Sequence, residues 1–344
     1  MPAFGGFRPG TAPARHGQAV QAACEGSLLA QKGGMIRIIR QILLCLSLLI
    51  LPFGAAFAQK PAPPKPEVPA LWQLELGKSR AYLFGTVHAL PRGVDWFKPH
   101  VVAALDQSNR LVLETEVPDN PASIAPVILK LTRLQSPRPL PERVPPDWRP
   151  TLNKAVTRLS PGPLDYSKTW FVALVLSNLQ AQADGIDPRI GVEAVLTERA
   201  RMKGIPIKAL ETAEEQLINF DALSEADQQL LLVSTLSELD NSKGNTSLLI
   251  GDWLLGNTEA LADRVNADFA RSPMLKRMLV EDRNARWADW IARQMKADEA
   301  PMFIAVGAGH MAGKGSLIED LQRQGIKVSR VLPEVPKPAK RKRR

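Results

Sequence analysis

Tyr82-Leu83-Phe84-Gly85-Thr86-Val87-His88 and Phe303-Ile304-Ala305-Val306-Gly307-Ala308-Gly309-His310 each run an apolar, strand-like stretch into the pattern Gly-x-x-His. A glycine straight after a buried strand lets the backbone turn sharply or approach a ligand, because no Cβ intrudes. The histidine three places on is then presented on a short loop at the strand end, where imidazole can ligate a metal or act as a general base. For one such turn a hydrogen-bonded structural histidine is the simpler reading. Two of the chain's four histidines in the same setting point instead to a shared site. His100 follows Pro99 at a helix start and lacks that setting.

Acidic residues end two other apolar runs, Leu111-Val112-Leu113-Glu114 and Ile207-Lys208-Ala209-Leu210-Glu211. A desolvated carboxylate is costly unless it is paired or metal-bound, so acids at buried strand ends imply partners. His88, Glu114, Glu211 and His310 form a candidate ligand set whose mixed nitrogen and oxygen donors suit Zn, Mn, Co or Fe better than Ca. An open position on such a metal would activate water. Glu211 also reads as a helix N-terminal charge favoured by the dipole. Glu193, in Gly191-Val192-Glu193, is either a further site carboxylate or a helix-start acid. Arg283 and Asn284 either clamp a carboxylate and orient a substrate or belong to an exposed charged helix face.

Working outward, Leu71–Leu76 and Arg80–Gly85 read as a hairpin around Gly77-Lys78-Ser79. A helix over Pro99–Gln107 and a strand over Arg110–Thr115 follow, then helical periodicity from Pro121 to about Lys203, with Trp170–Leu179 as a buried helix. A strand Ile205–Leu210, more helices to about 298, strand Met302–Val306, helix Ser316–Arg323 and strand Lys327–Val331 complete the chain. The expected fold is a single α/β domain: a central mixed sheet flanked by helices, with a large helical insertion between two strand-bearing halves. Both Gly-x-x-His turns then lie at strand C-termini, where ligand sites gather in α/β sheets.

A 45% hydrophobic, 23% charged composition is that of a core-forming globular chain. Met35-Ile-Arg37-Ile-Ile-Arg40, the apolar run Gln41–Phe53 and Ala56-Phe57-Ala58 have the three parts of a secretory signal peptide over residues 35–58. Residues 1–34 read as a disordered, over-extended start ahead of Met35. An uncleaved membrane anchor is the competing reading, and the apolar run falls short of the ~20 residues a span needs. Residues 59–69 are a Pro-rich linker, 70–333 the folded domain and 334–344 a basic disordered tail. Both cysteines, Cys24 and Cys45, precede the cleavage site, so the mature chain would have neither a disulfide nor a thiol nucleophile. The net charge of +9 belongs to the ends, for residues 59–334 hold 33 basic and 34 acidic side chains. That distribution argues against a specific nucleic-acid binder. The basic tail is either a solubilising arm or a contact for anionic lipid, polysaccharide or nucleic acid. No His-Glu-x-x-His, Gly-x-Ser-x-Gly or P-loop motif occurs.

The ordered series Ala70-Leu-Trp-Gln73, Tyr82-Leu-Phe-Gly-Thr-Val-His-Ala-Leu-Pro91, Leu111-Val-Leu-Glu114, Gly185-Ile-Asp187, Gly191-Val-Glu193, Leu210-Glu-Thr-Ala-Glu-Glu-Gln216, Arg283-Asn284 and Val306-Gly-Ala-Gly-His-Met-Ala-Gly313 resembles the TraB/GumN family. The resemblance implies an α/β fold related to the Tiki metalloproteases and the erythromycin-esterase/ChaN-like group. In Tiki proteins the paired Gly-x-x-His motifs and a glutamate are associated with metal-dependent peptide cleavage, and these positions fall on His88, Glu114 and His310. Bacterial members are tied to conjugation-pheromone shutdown or to polysaccharide gene clusters. Asp282 stands where the family has glutamate before the Arg-Asn pair, which argues against a catalytic role there.

Together these features describe a periplasmic or secreted metal-dependent hydrolase, peptidase-like, with no transmembrane span in the mature chain. His88, Glu114 and His310 would bind the divalent metal, Glu193 or Glu211 would assist proton transfer, and Arg283 would steady the oxyanion. The alternative is a non-catalytic envelope protein using the same cleft for a peptide or glycan. N-terminal sequencing of the exported protein is expected to begin at Gln59 or a neighbour; a start at Met1 or Met35 contradicts cleavage.

Overall fold

In the computed structural model the chain divides into Met1–Pro64 and Lys65–Arg344, and the structure describes residues 68–115, 124–160, 162–269, 272–311 and 313–333. The signal peptide, the linker up to residue 67 and the basic tail lie outside the described residues.

Strands β1 (Leu71–Leu76) and β2 (Ser79–Thr86) form the expected hairpin. Leu76 pairs with Ser79 across Gly77-Lys78, and Gly77 takes the left-handed φ of 59° that a two-residue turn requires. Helix α1 (Pro99–Asp106), which starts with Pro at its first position, leads to β3 (Arg110–Thr115). Then come α2 (Ala125–Thr132), α3 (Arg149–Leu159), α4 (Thr169–Ala183) and α5 (Val192–Lys203), before β4 (Ile207–Glu211). A second helical run follows: α6 (Ala213–Asp221), α7 (Glu225–Glu238), α8 (Ser242–Leu254), α9 (Thr258–Phe269), α10 (Pro273–Lys276) and α11 (Asp282–Ala297). Strand β5 (Met302–Gly307), α12 (Leu317–Arg323) and β6 (Lys327–Val331) close the domain.

The six strands lie in the order β4-β3-β5-β2-β1-β6. The first four are mutually parallel, while β1 runs antiparallel to both β2 and β6. Alternation sends successive side chains to opposite faces, and both faces are covered. Phe84, Leu111, Leu113, Phe303 and Ala305 pack on α1, α5 and Trp253 of α8. Leu83, Val112, Ile304 and Val306 pack on α11 and α12 through Trp287, Ile291, Leu317 and Leu321. Every residue of β5 is buried, which is why parallel central strands read as unbroken apolar runs. The helical middle has its own core, with Leu152, Val172, Leu176, Leu232 and Leu236 at 0–1% exposure. No helix among the described residues is long and apolar enough to cross a membrane.

The register fixes where the strands end. Thr86 is level with Gly307 and Thr115 with Glu211, while Leu113 pairs with Ala305 two residues earlier. The C-termini of all four parallel strands thus form one row, carrying His88, Glu114, Glu211 and His310 to the same sheet edge. Alternation also separates neighbours on β3. Glu114 shares the face of Val112, toward α11, and Thr115 shares that of Leu113, toward α5.

Candidate active site

Two glycines permit close approach at that edge. A Cβ on Gly85 would lie 3.2 Å from Ala308 Cα, so the first Gly-x-x-His turn packs directly against the second. A Cβ on Gly191 would lie 2.0 Å from the His88 carbonyl oxygen, so only glycine lets the start of α5 dock there. Val192 N–H then donates to Val87 O at 3.1 Å. This docking brings Glu193 to His88, whose Nδ1 donates to Glu193 Oε1 at 2.6 Å. Thr86 Oγ1 donates to the same oxygen.

Arg283 lies at the centre of the buried part. Its Nη2 donates to both Glu114 Oε1 and Glu211 Oε1, its Nε to Glu211 Oε2 at 3.2 Å and its Nη1 to Leu279 O at 3.0 Å. The guanidinium also stacks 4.6 Å from the Trp287 ring. It reaches this position from the first turn of α11, directly after a π-helical turn over Arg277–Glu281. A π turn rotates the helix residues beyond it to a new angular register, and such turns recur at functional sites. Glu114 is further held by Gln216 Nε2 at 3.0 Å and by Gly307 N–H at 3.0 Å.

The tautomer of His310 is set by its partners. Arg283 Nη1 faces its Nε2 at 3.3 Å, and a guanidinium can only donate, so Nε2 accepts and Nδ1 carries the proton. Nδ1 then donates to Asn284 Oδ1 at 2.8 Å. Asn284 is oriented for this because its Nδ2 donates to Gly315 O at 2.8 Å. In both imidazoles, therefore, Nδ1 is engaged by a fixed acceptor, while Nε2 of His310 faces Arg283 and Nε2 of His88 faces the hollow at Gly307.

Gly307 marks where these groups meet. A Cβ built on it would be 3.3 Å from Glu114 Oε2, 3.4 Å from His88 Nε2 and 3.6 Å from His310 Cδ2. Among the described residues no three His, Cys, Asp or Glu side chains are already closed to metal-ligand spacing. A cation there would take His310 Nε2 in place of its Arg283 bond. Beside the hollow, a cavity of about 500 Å³ is lined by His88, Glu114, Thr115, Glu193, Thr197 and Gln216, among others. That is within the size range of small-ligand pockets.

Burial pushes Glu114 upward, but the two imidazoles, the guanidinium and the Gly307 N–H outweigh it and hold the carboxyl at about 2. Burial dominates at His310 and lowers it to about 4. Burial, with Glu114 nearby, also raises Glu211 despite its Arg283 partner. For His88 burial acts downward, yet the hydrogen bond and charge of Glu193 raise it to about 9. Its side chain is 66% exposed, so water screens that pair and its share of the stability is discounted.

The structure brings together seven side chains singled out in the sequence: His88, Glu114, Glu193, Glu211, Arg283, Asn284 and His310. They are not equivalent. Glu193 lines the cavity and touches His88 directly, whereas Glu211 has both oxygens on Arg283 and does not line it. Arg283 spends its donors on protein acceptors, not toward the cavity. Sequence reasoning gives no role to Gln216 or Thr86, and nothing in the sequence marks the π turn. Gly191 stands out in the sequence only as a neighbour of Glu193, though its glycine is the signal of close approach.

A family model described as the TraB/PrgY/gumN family matches residues 70–330. Among curated proteins, the "Uncharacterized protein YbaP" of Shigella flexneri is 24% identical over 248 residues, covering 72% of this chain and 89% of that protein. The protein of the same description from Escherichia coli (strain K12) matches to the same extent. No solved structure gives a significant match.

Groups whose folded pKa is depressed stabilise above their unfolded value and lose that contribution as the pH falls. Between 6.5 and about 4 the unfolded chain takes up a proton that His310 refuses, and between 4.5 and about 2 one that Glu114 refuses. His88, raised to about 9, has the opposite sign, its contribution fading as the pH rises from 6.5 through 9. Urea unfolding at pH 7 and pH 5 is expected to show lower stability at pH 5 in the wild type and a smaller gap in His310→Gln. An equal gap in the variant contradicts the assignment.

Proposed function

The chain belongs to the TraB/PrgY/gumN family, and from that premise we propose that it is an exported, metal-dependent hydrolase of peptide or amide bonds. The observation that carries the reading is the convergence of His88 Nε2, Glu114 Oε2 and the His310 ring around the missing Cβ of Gly307. The donor set fits a divalent transition metal. It offers two imidazoles, each with Nδ1 held by an outer partner, and one carboxylate oxygen, the arrangement that orients metal-ligating histidines. His88, His310 and Glu114 would hold the ion, which when bound lowers the pKa of water and polarises a carbonyl.

The protein groups have separable tasks. Glu193 holds the proton at His88 Nδ1 and fixes the ring, and it borders the cavity together with Glu114 and Glu198. Asn284 does the same for His310 at Nδ1. Gln216 and Gly307 N–H set the rotamer of Glu114. Arg283 with Glu211 is a positioning pair, because it neutralises buried charge and anchors Glu114 without reaching the cavity. The hollow lies beside a pocket wide enough for a substrate side chain.

Elemental analysis and a fluorogenic peptide library test the proposal on the mature protein. The wild type is expected to carry about one equivalent of transition metal and to cleave a subset of peptides. His88→Ala should lose metal and at least about 100-fold in activity, and Glu193→Gln about 10- to 100-fold, the usual loss when a metal ligand's outer partner is removed. Metal content unchanged in His88→Ala contradicts ligation. Retention of peptide or glycan without cleavage favours a non-catalytic envelope protein.

A further inference from the structure

The edge strand β6 carries a guanidinium that no carboxylate matches. Arg330 is level with Trp72 of β1, and its charge lies 5.2 Å from the centroid of that indole. Its Nη1 donates to Gly256 O at 3.3 Å and its Nη2 to Val68 O at 3.4 Å. Both bonds are long, and they engage only part of the five-donor fork of a guanidinium. Among the described residues no acid forms an ion pair with it. Burial lowers its pKa, and no neighbouring carboxylate opposes the shift. A half-buried charge in that position is costly unless an anion reaches it.

That position is the wall of a cavity of about 530 Å³, lined by Trp72, Leu255, Asn257, Glu259, Arg330 and Leu332, among others. The turn between α8 and α9 shapes it. Gly256 takes a φ of 63°, and a Cβ there would lie 2.1 Å from Arg330 Nη2, so only glycine brings its carbonyl to the guanidinium. Arg330 is only half-buried and lines the cavity, so a ligand there meets its charge. Trp72 offers an aromatic surface, and Leu255 and Leu332 are left 48% and 60% exposed. Water screens the exposed Glu259 more than the half-buried Arg330, so the cavity favours a negative charge. Glu259 still limits how much, for it repels a dianion such as phosphate more than a single carboxylate. A carboxylate also matches the guanidinium fork in a bidentate pair.

We infer that this cavity binds an organic monocarboxylate with an apolar body, the carboxylate on Arg330 and the body on Trp72, Leu255 and Leu332. Two sources share that chemistry, the C-terminal residue of a peptide and a fatty acid. The inference is carried by a guanidinium without an acid in a cavity that also holds Trp72 and two leucines. The cavity shares no lining residue with the one beside His88, so the inference is independent of the hydrolase reading.

Isothermal titration calorimetry on the mature protein tests this with N-acetyl-leucine, octanoate, the neutral N-acetyl-leucinamide and inorganic phosphate. The wild type is expected to bind one of the two carboxylates at least about tenfold tighter than the amide or phosphate, the scale of a charge-assisted pair. Tighter binding of N-acetyl-leucine identifies a peptide C-terminus, and tighter binding of octanoate a fatty acid. Arg330→Met keeps a long side chain against Trp72 and removes the charge, so it should lose at least about tenfold in carboxylate affinity. Leu332→Glu, at an exposed position, adds a second carboxylate to the wall and should weaken binding several-fold; it decides the matter if Arg330→Met does not fold. Failure to bind either carboxylate overturns the inference, as does amide or phosphate binding of equal strength. So does carboxylate affinity unchanged in Arg330→Met, or in Leu332→Glu where that variant decides.

Discussion

The buried ion pairs of Arg283 with Glu114 and Glu211 are the constraint on which the rest of the site depends. All three side chains are 6–7% exposed, and each bond joins elements far apart in sequence: β3, β4 and the start of α11. Desolvating such charges is expensive, and a buried ion pair is not in itself a source of stability. Removing one member is the costly event, about 3–5 kcal/mol, because its partners are left buried and uncompensated. The network therefore acts chiefly on geometry. It ties the two carboxylate strand ends to the helix that also carries Asn284 and Trp287, and through Asn284 it orients His310.

The parallel sheet supplies the other half of that geometry. Four strand ends in one row bring their loops within a few ångströms, and small residues at Gly85, Gly191 and Gly307 let the loops close without intruding side chains. Each glycine does a different job. Gly85 lets the two turns touch, Gly191 admits the helix that carries Glu193, and Gly307 leaves room beneath His88, Glu114 and His310. The row also explains how β3 feeds two compartments, with Glu114 facing the ion network and Thr115 facing the cavity.

Much of this is legible in the sequence, for identifiable reasons. Strands buried on both faces appear as continuous apolar runs, so β3 and β5 are located within a residue or so. Acids ending such runs point to Glu114 and Glu211, since a carboxylate there must have a partner. The paired Gly-x-x-His turns give the histidines. Strand order is not legible, because β3 pairs with β5 across most of the helical middle and periodicity carries no information about pairing at that distance. For the same reason Arg283 reads as a group for the oxyanion. Its proximity to two carboxylates depends on the π turn before α11, which is set by packing and has no motif. Gln216 and Thr197 look like ordinary polar positions on helices, and only the assembled walls give them partners or deny them.

If the hollow at Gly307 is where the chemistry occurs, filling it should abolish function while sparing the fold. Gly307→Ala is the most direct measurement. The added methyl would lie 3.3 Å from Glu114 Oε2, 3.4 Å from His88 Nε2 and 3.6 Å from His310 Cδ2, so it occupies the space and the Glu114 carboxylate must give by a few tenths of an ångström. The expected result is a folded protein with a near-normal melting temperature that no longer retains transition metal or cleaves peptide. A Gly307→Ala protein with wild-type metal content and activity would contradict a reaction centre at this hollow.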